Sequence, residues 1–384
     1  MSSSSRRNDS KMFEIYEKFR ASCDFTKVGK VLGKGAFGEV RDIVYKNKTM
    51  AGKLIKRENE DEQSEEEKYG VELRGQNIIK INKVYTKKID GNNYDLIIME
   101  KAILRDLGKL NEFYHNHNLL KLIYFPFDEL SGDCLLRFYA RQIVNALETL
   151  NRNYFIHYDM KPENLLIAGN LIVKLSDFSL LTKVKSGTTK IPGGTPGYLT
   201  PEYYIDRNVD SEDARKQDYF ALGSTLFFLK YGEQFLKFKK SDSNIMNNFF
   251  ILDIIQKQLY KIKSQKLSDK DFIEFLSSLI SYQPKDRPSF EQIYRNKWLN
   301  KDVEYVNSIF AAYENDEEKL IMELQKKDFL IKKEKERDNE LFGYESLDEK
   351  GKELKNDLID ENKKKEIEKK KCRFRFKKKK IDKI

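Results

Sequence analysis

Cysteine is scarce: Cys23, Cys134 and Cys372 are the only three in 384 residues, they lie far apart, and no CxxC pair occurs. That excludes a disulfide framework or a cysteine-built zinc site and fits a reducing compartment. Glycine is missing at position 2, which excludes N-myristoylation there, and the opening MSSSSRRNDSK has no apolar segment of the secretory kind. No run nears the roughly 18 apolar residues of a membrane-spanning helix. Residues 249–255 come nearest and are broken by Asp253. No repeat at a period of about 20–50 residues occurs, which excludes solenoids and propellers. The expectation is a soluble intracellular chain, cytoplasmic or nuclear.

Aromatic residues are plentiful. Twenty-five Phe and 21 Tyr, within an apolar share of 39%, are enough for a sizeable core and exclude wholesale disorder. The net charge of +10 is uneven: residues 361–384 hold 13 Lys/Arg against 4 Asp/Glu, so the first 360 residues carry about +1. The simplest reading of this basic C-terminus is a solvated charged end. The alternative is a tether for an acidic partner, nucleic acid or a membrane surface, with Phe374 and Phe376 beside Arg373 and Arg375 as stacking or inserting groups.

Residues 1–24 read as a polar N-terminal arm, Ser-rich and then amphipathic over 12–19. From position 25 the texture is short β-like segments with glycine punctuation. Residues 27–32, 38–45 and 49–55 form a three-stranded meander, and 78–86 and 94–99 flank the turn Asp90-Gly91-Asn92-Asn93. Between them, the Glu/Lys-rich stretch 57–73 reads as a helix. Beyond about 103 helical patterns dominate: 133–151 with Asp133 placed to cap it, the almost wholly apolar 220–230, then 272–281 and 290–296. After Trp298 the chain turns Lys/Glu-rich. Strands first and helices after predict an α+β fold: a β-rich lobe over 25–102, an α-rich lobe over 103–299, and a helical to disordered tail over 300–384.

Leu32-Gly33-Lys34-Gly35-Ala36-Phe37-Gly38-Glu39-Val40 is a G-x-G-x-x-G-x-V loop lying between two strands, whereas the dinucleotide-binding version runs from a strand into a helix. Its glycines let backbone N–H groups approach phosphate oxygens, and Val40 would lie over an adenine face. Thirteen residues on, Ala51-Gly52-Lys53 ends in a lysine within an apolar strand. A lone lysine there is most simply a snorkelling edge residue. Next to a phosphate-cradling loop it can neutralise α- and β-phosphates, held by a carboxylate from Glu65, Glu66 or Glu67.

The segment His157-Tyr158-Asp159-Met160-Lys161-Pro162-Glu163-Asn164-Leu165-Leu166, followed thirteen residues after Asn164 by Asp177-Phe178-Ser179, resembles the eukaryotic protein kinases of serine/threonine type. The resemblance covers residues 25–299 and rests on six motifs in order. It implies a bilobal fold, with a small antiparallel N-lobe sheet carrying one helix and a mainly helical C-lobe. It implies ATP and Mg2+ as cofactors and a protein Ser/Thr hydroxyl as acceptor. Asp159 matches the catalytic aspartate, Lys161 the lysine beside the γ-phosphate, and Asn164 and Asp177 the two Mg2+ ligands. Leu32, Gly33, Lys34, Gly35, Gly38, Val40, Ala51 and Lys53 match the nucleotide site. Met99, Glu100 and Ala102 match its hinge and Leu166 its floor. Thr195 is expected to bond both Asp159 and Lys161, Glu202 to pair with Arg287, Asp218 to hold the catalytic loop, and His157 to prop the site with Phe178. The Lys-Pro-Glu-Asn form of the loop is that of serine/threonine kinases.

The sequence also departs from the family pattern. Tyr158 stands where an activation-loop phosphate normally finds an arginine, which speaks against switching by that route. Ser179 replaces a glycine, so stiffer switching is expected; Thr200 replaces an alanine. The spacing from Lys53 is shorter than usual, and counting back from Asn77 favours Glu66. Residues 104–132 are long enough for an added loop. An active kinase and a non-catalytic pseudokinase scaffold both fit the fold; the full set Lys53, Asp159, Lys161, Asn164 and Asp177 favours activity.

Overall fold

The computed structural model describes residues 3–35, 38–57, 64–102, 106–109, 132–168, 172–184, 186–237, 248–264, 269–301 and 303–304. The expected loop over 104–132 falls largely outside them, and the charged tail beyond 304 wholly so. Strands β1 (Phe25–Gly35), β2 (Gly38–Tyr45), β3 (Lys48–Lys56), β4 (Ile81–Ile89) and β5 (Asn92–Met99) form one antiparallel sheet in the order β1-β2-β3-β5-β4. Two two-residue turns fix its register. Lys46 and Asn47 join β2 to β3 with φ of 48° and 61°, and Asp90 and Gly91 join β4 to β5 with 51° and 79°. Positive φ at both central residues matches the right-handed twist of the flanking strands. The second turn is therefore two residues long, not the four read from sequence.

Alternation along the strands divides the sheet into two faces. In β2 the buried residues are Glu39, Arg41, Ile43 and Tyr45. They face helix α1 (Ser3–Arg20), which corrects the reading of the N-terminus as a polar arm. Ile15, Tyr16 and Phe19 of α1 join Ile43, Tyr45, Met50, Leu54, Leu96 and Ile98 in one apolar cluster, and Met12 packs at its edge. Met12, Ile15, Tyr16 and Phe19 sit at the i, i+3, i+4, i+7 spacing of a helix stripe. Lys18 and Arg20 close the last turn, where cations complement the helix dipole. Lys87 donates to the Lys18 carbonyl at 2.8 Å, satisfying one of the end's orphan acceptors.

The predicted helix over 57–73 is much reduced. Residues 58–63 lie outside the described set, and the regular part that follows is one π-helical turn, Glu66–Gly70. Gly70 packs closely there: a Cβ would stand 2.8 Å from Ile81 Cδ1 and 3.4 Å from Phe178 Cδ2. Gly70 interrupts a stretch whose Glu/Lys content alone suggests a helix.

The second lobe is built around α2 (Gly132–Arg152) and α4 (Ser211–Tyr231), with the one-turn α3 (Pro201–Ile205) between them and α5 (Asn248–Lys263), α6 (Lys270–Leu279) and α7 (Phe290–Tyr294) after. Asp210 caps α4 by accepting from the Glu212 amide, and Gly232, with φ of 72°, ends it. Trp298 is fully buried against Phe272 and Phe275. Just past it, Arg141 of α2 donates to the carbonyls of Leu299 and Lys301. No helix among the described residues is long and apolar enough to cross a membrane.

Phe19 tests whether α1 belongs to the core. Phe19→Ala removes a fully buried ring and is expected to lower stability by about 3–5 kcal/mol in urea unfolding followed by circular dichroism. A loss below about 0.5 kcal/mol, the surface range, would make α1 a loose arm.

Candidate active site

Strand register assembles the first half of the site. Val40 and Lys53 lie directly opposite each other on β2 and β3, and Ala51 lies opposite Met99 on β3 and β5. Direct cross-strand partners share a face, so these four residues occupy the face opposite α1. Leu32, Gly33, Lys34 and Gly35 end β1, and Gly38 begins β2. A Cβ at Gly33 would meet nothing within 4 Å, whereas one at Gly38 would meet the Leu54 carbonyl at 1.9 Å. Glycine at 38 thus permits the close approach of β3, and glycine at 33 keeps the backbone bare. Lys34 turns its ammonium to Glu39, 3.4 Å away. Ala36 and Phe37 lie outside the described residues.

The Lys53 ammonium lies 3.1 Å from Glu66 and 2.7 Å from Asp177. Burial opposes its charge, but the two carboxylates outweigh burial and raise its pKa above the ordinary lysine value. Burial likewise opposes ionisation of Asp177, and Lys53 reverses that, holding the carboxyl below its usual range. Of the three adjacent glutamates, Glu65 pairs with Lys68 and Glu67 with Arg57, leaving Glu66 for Lys53. Arg57 also bonds Asp95 on β5 at 2.7 Å. A strand-borne cation thereby fixes the short π-turn that a longer helix would otherwise steady. Nothing in the spacing marked Arg57 for this; the available signals were an arginine closing β3 and an aspartate inside the apolar β5.

The second half comes from the segment after β6 (Phe155–Ile156). Asp218, on α4, accepts the amides of His157 at 2.8 Å and Tyr158 at 3.0 Å. Burial pushes its carboxyl pKa up, against the pull of His157 and of these two amides. Tyr158 and Asp177 have φ of 65° and 66°, a region that costs a non-glycine residue about 1–3 kcal/mol and persists only where surroundings over-determine it. Asp218 supplies that for Tyr158 and Lys53 for Asp177. Ser179 is not among the positive-φ residues, so serine in place of glycine is unstrained here. His157 accepts from the Asp159 amide at Nδ1 and so donates from Nε2 to the Ser176 carbonyl, 3.0 Å away. Its ring meets Phe178 edge-on at 5.8 Å. With both nitrogens engaged, His157 is a strut.

Around Asp159, Lys161 donates to Oδ2 at 2.7 Å and Asn164 Nδ2 to the same oxygen at 3.0 Å. Lys161 also donates to Thr195 Oγ1, which donates onward to Asp159 Oδ1, both at 2.6 Å. An ionised carboxylate has about four acceptor positions; these three bonds leave one on Oδ1. Asn164, whose amide nitrogen is spent on Asp159, presents Oδ1 as its remaining acceptor. Asn164 and Asp177 thus offer hard oxygen donors, and no cluster of three or more His, Cys, Asp or Glu among the described residues could hold a metal. A sparse oxygen set suits Mg2+, which keeps most of its ligands as phosphate and water. At the hinge, the Glu100 amide donates to Lys80 and its carboxylate accepts from the Lys80 amide, while Lys174 pairs with it at 2.9 Å. Leu166, on β7 (Leu165–Ile167), bridges to Asp106 just past Ala102.

Compared with known families, residues 26–299 match the protein kinase domain. The chain belongs to the protein kinase family. It is 28% identical over 286 residues to the Aurora kinase of Saccharomyces cerevisiae, covering 73% of this chain and 71% of that one. It is 30% identical over 216 residues to the human serine/threonine-protein kinase MRCK alpha, which takes in 53% of this chain and 12% of the relative. With the 3-phosphoinositide-dependent protein kinase B of Dictyostelium discoideum it shares 26% over 303 residues, 74% of this chain and 29% of the other. The chain thus spans only a small part of several relatives.

In this kinase the described residues between Asp177 and Glu202 are held by strand pairing and packing. β8 (Thr188–Lys190) pairs with β9 (Asn208–Asp210), and the Ile191 amide donates to the Arg207 carbonyl. The Tyr158 ring packs with Ile156, Ile191, Val209 and Ala214. Its phenol, pushed up to about 12 by burial and then by Asp218, remains neutral near pH 7. At the segment's end, Arg287 grips both oxygens of Glu202 at 2.7 and 2.8 Å.

The Lys53–Asp177 pair yields a pH prediction. A lowered carboxyl pKa contributes stability above the ordinary carboxylate range, and that contribution is lost as pH falls through the folded value. Lys53→Met removes the main opposition to burial, leaving only the weaker pull of His157 and Ser179, so the Asp177 carboxyl is expected to titrate at higher pH than in the wild type, read by NMR of labelled aspartate. An unchanged titration would mean that the pair does not set it.

Proposed function

We propose that this kinase transfers the γ-phosphate of Mg-ATP to a serine or threonine hydroxyl of a protein substrate. The observation that carries the reading is Asp159 with one acceptor position left, held by Lys161, Asn164 and Thr195. Asp159 orients the incoming hydroxyl and takes its proton on Oδ1. Lys161, 2.7 Å from Asp159, keeps a positive charge between that carboxylate and the transferring group. Lys53 serves the α- and β-phosphates, with Glu66 fixing its position. Val40, Ala51, Met99 and Leu166 enclose the adenine, and the backbone of Glu100 and Ala102 meets its edge. Leu32, Gly33, Gly35 and Gly38 supply bare backbone to the phosphates. Asn164 and Asp177 would hold Mg2+, which when bound would supply positive charge against the negative charge of the phosphates. The rest is positioning and fixed charge, the two contributions phosphoryl transfer uses most.

Serine/threonine acceptors fit the Lys161-Pro162-Glu163-Asn164 loop and the names of the relatives, among them one dual-specificity kinase, Ttk of Danio rerio, at 25% identity. The catalytic unit in this reading is residues 25–299, with lobes 25–102 and 103–299. A cytoplasmic or nuclear setting suits it.

Two outcomes are expected. Asp159→Asn keeps ATP binding but loses about 10²–10³-fold in kcat, the usual effect of removing a fixed charge aimed at the reacting centre. Wild-type turnover of radiolabelled phosphate in this variant would overturn the assignment. The Ser186→Ala, Thr188→Ala, Thr189→Ala triple variant keeps most of the wild-type turnover, because the segment is ordered by its strand pairing and the Tyr158 cluster. Loss of most turnover with ATP binding intact would make loop phosphorylation the control.

A further inference from the structure

Helix α1 does more than cover the sheet. The Tyr16 hydroxyl lies 2.7 Å from the Glu39 carbonyl and 2.7 Å from the Gly52 carbonyl, one on each of two neighbouring strands. Those carbonyls belong to the peptide units that lead into Val40 and Lys53, and Val40 and Lys53 are direct cross-strand partners. The Arg41 and Leu54 amides of the same two strands also bear on the phenol oxygen. The hydroxyl is thus set over the β2–β3 ladder at the one pair of residues that both face the nucleotide. Side chains alternate across a strand, so Tyr16 holds these peptides from the rear while Val40 and Lys53 face forward.

The surroundings fit a built contact. Tyr16 is fully buried. Burial, and next the Glu39 carboxylate, drive its phenol pKa far up, so it stays a hydrogen donor at any working pH. Arg41 stacks over both Phe13 and Tyr16 of α1 and pairs with the buried Glu39. Gly52 stands in the middle of β3, where glycine weakens a strand and marks close packing. A Cβ there would press on Ile43 and Leu96 at 3.2 and 3.3 Å, both in the cluster that receives α1.

We propose that Tyr16 is a positioning residue of the nucleotide site, bracing the Glu39–Val40 and Gly52–Lys53 peptides so that Val40 and Lys53 are held for ATP. The inference rests on the nucleotide site assigned above. It makes the N-terminal helix, which lies before the kinase-domain match begins at residue 26, part of the machinery for substrate binding.

The test uses the full chain and three measurements: the Kd for Mg-ATP by calorimetry, KM for ATP and kcat on a peptide, and Tm without nucleotide. Tyr16→Phe keeps the ring and removes only the hydroxyl; Tyr16→Met replaces it if the first variant does not fold. Phe19→Leu, in the same cluster, serves as the stability control. Removing the hydroxyl is expected to raise Kd and KM for ATP by roughly three- to tenfold, the range of one ordinary net hydrogen bond, with a smaller change in kcat. Phe19→Leu is expected to lower Tm at least as far yet leave Kd near the wild-type value. Unchanged Kd and KM in the hydroxyl variant would overturn the proposal. So would an equal rise in Kd from Phe19→Leu, which would make the effect one of general stability. A wild-type chain that binds ATP but transfers no phosphate would overturn the catalytic reading instead, and the Kd comparison would still decide this one.

Discussion

A buried ammonium is costly to keep charged unless carboxylates surround it. Lys53 has two, and they come from parts of the chain far apart in sequence: Glu66 from the π-turn and Asp177 from the second lobe. That three-way contact ties β3, the π-turn and the Asp177 loop into one site. It keeps Asp177 ionised against burial and helps hold its backbone in the left-handed region. The arrangement then spreads outward. Arg57 fixes the turn through Glu67 and Asp95, and α1 backs the strand that carries Lys53.

The second lobe repeats the theme with a different polarity. Asp218 is a buried carboxylate satisfied by backbone amides, and those amides belong to the residues that precede Asp159. Tyr158, lacking a charge, turns into the apolar cluster under the activation segment. Where a cation at that place would wait for a phosphate, the ring packs at once. An apolar contact of this kind needs no modification to form.

Residues with dedicated chemistry were legible in the sequence. Asp159, Lys161, Asn164, Asp177 and Thr195 were named from the resemblance to the protein kinases; hydrogen bonds join Asp159 to Lys161, Asn164 and Thr195, and Asp177 meets Lys53. Glu66 was chosen from three neighbours by its distance from Asn77 and is the one that meets Lys53. The strands were legible because their apolar alternation and turn residues agree. The amphipathic stretch over 12–19 was read as well, but the serine-rich first half suggested a polar arm where the structure has a helix packed on the sheet. In the described part of 57–73 good helix formers are present, but Gly70 packs closely on Ile81 and Phe178 and the regular part is one π-helical turn. Arg57 and Tyr16 escaped notice because their partners are set by tertiary packing, which no local pattern records.

The proposed function makes a definite claim: the site serves phosphate transfer to an alcohol side chain. Phosphoamino-acid analysis tests it most directly. The wild-type chain would be incubated with γ-labelled ATP, Mg2+ and a mixed protein substrate, and the substrate hydrolysed to its amino acids. The account predicts label on phosphoserine and phosphothreonine and none on phosphotyrosine. Label confined to phosphotyrosine, or no label from a chain that still binds Mg-ATP, would contradict it.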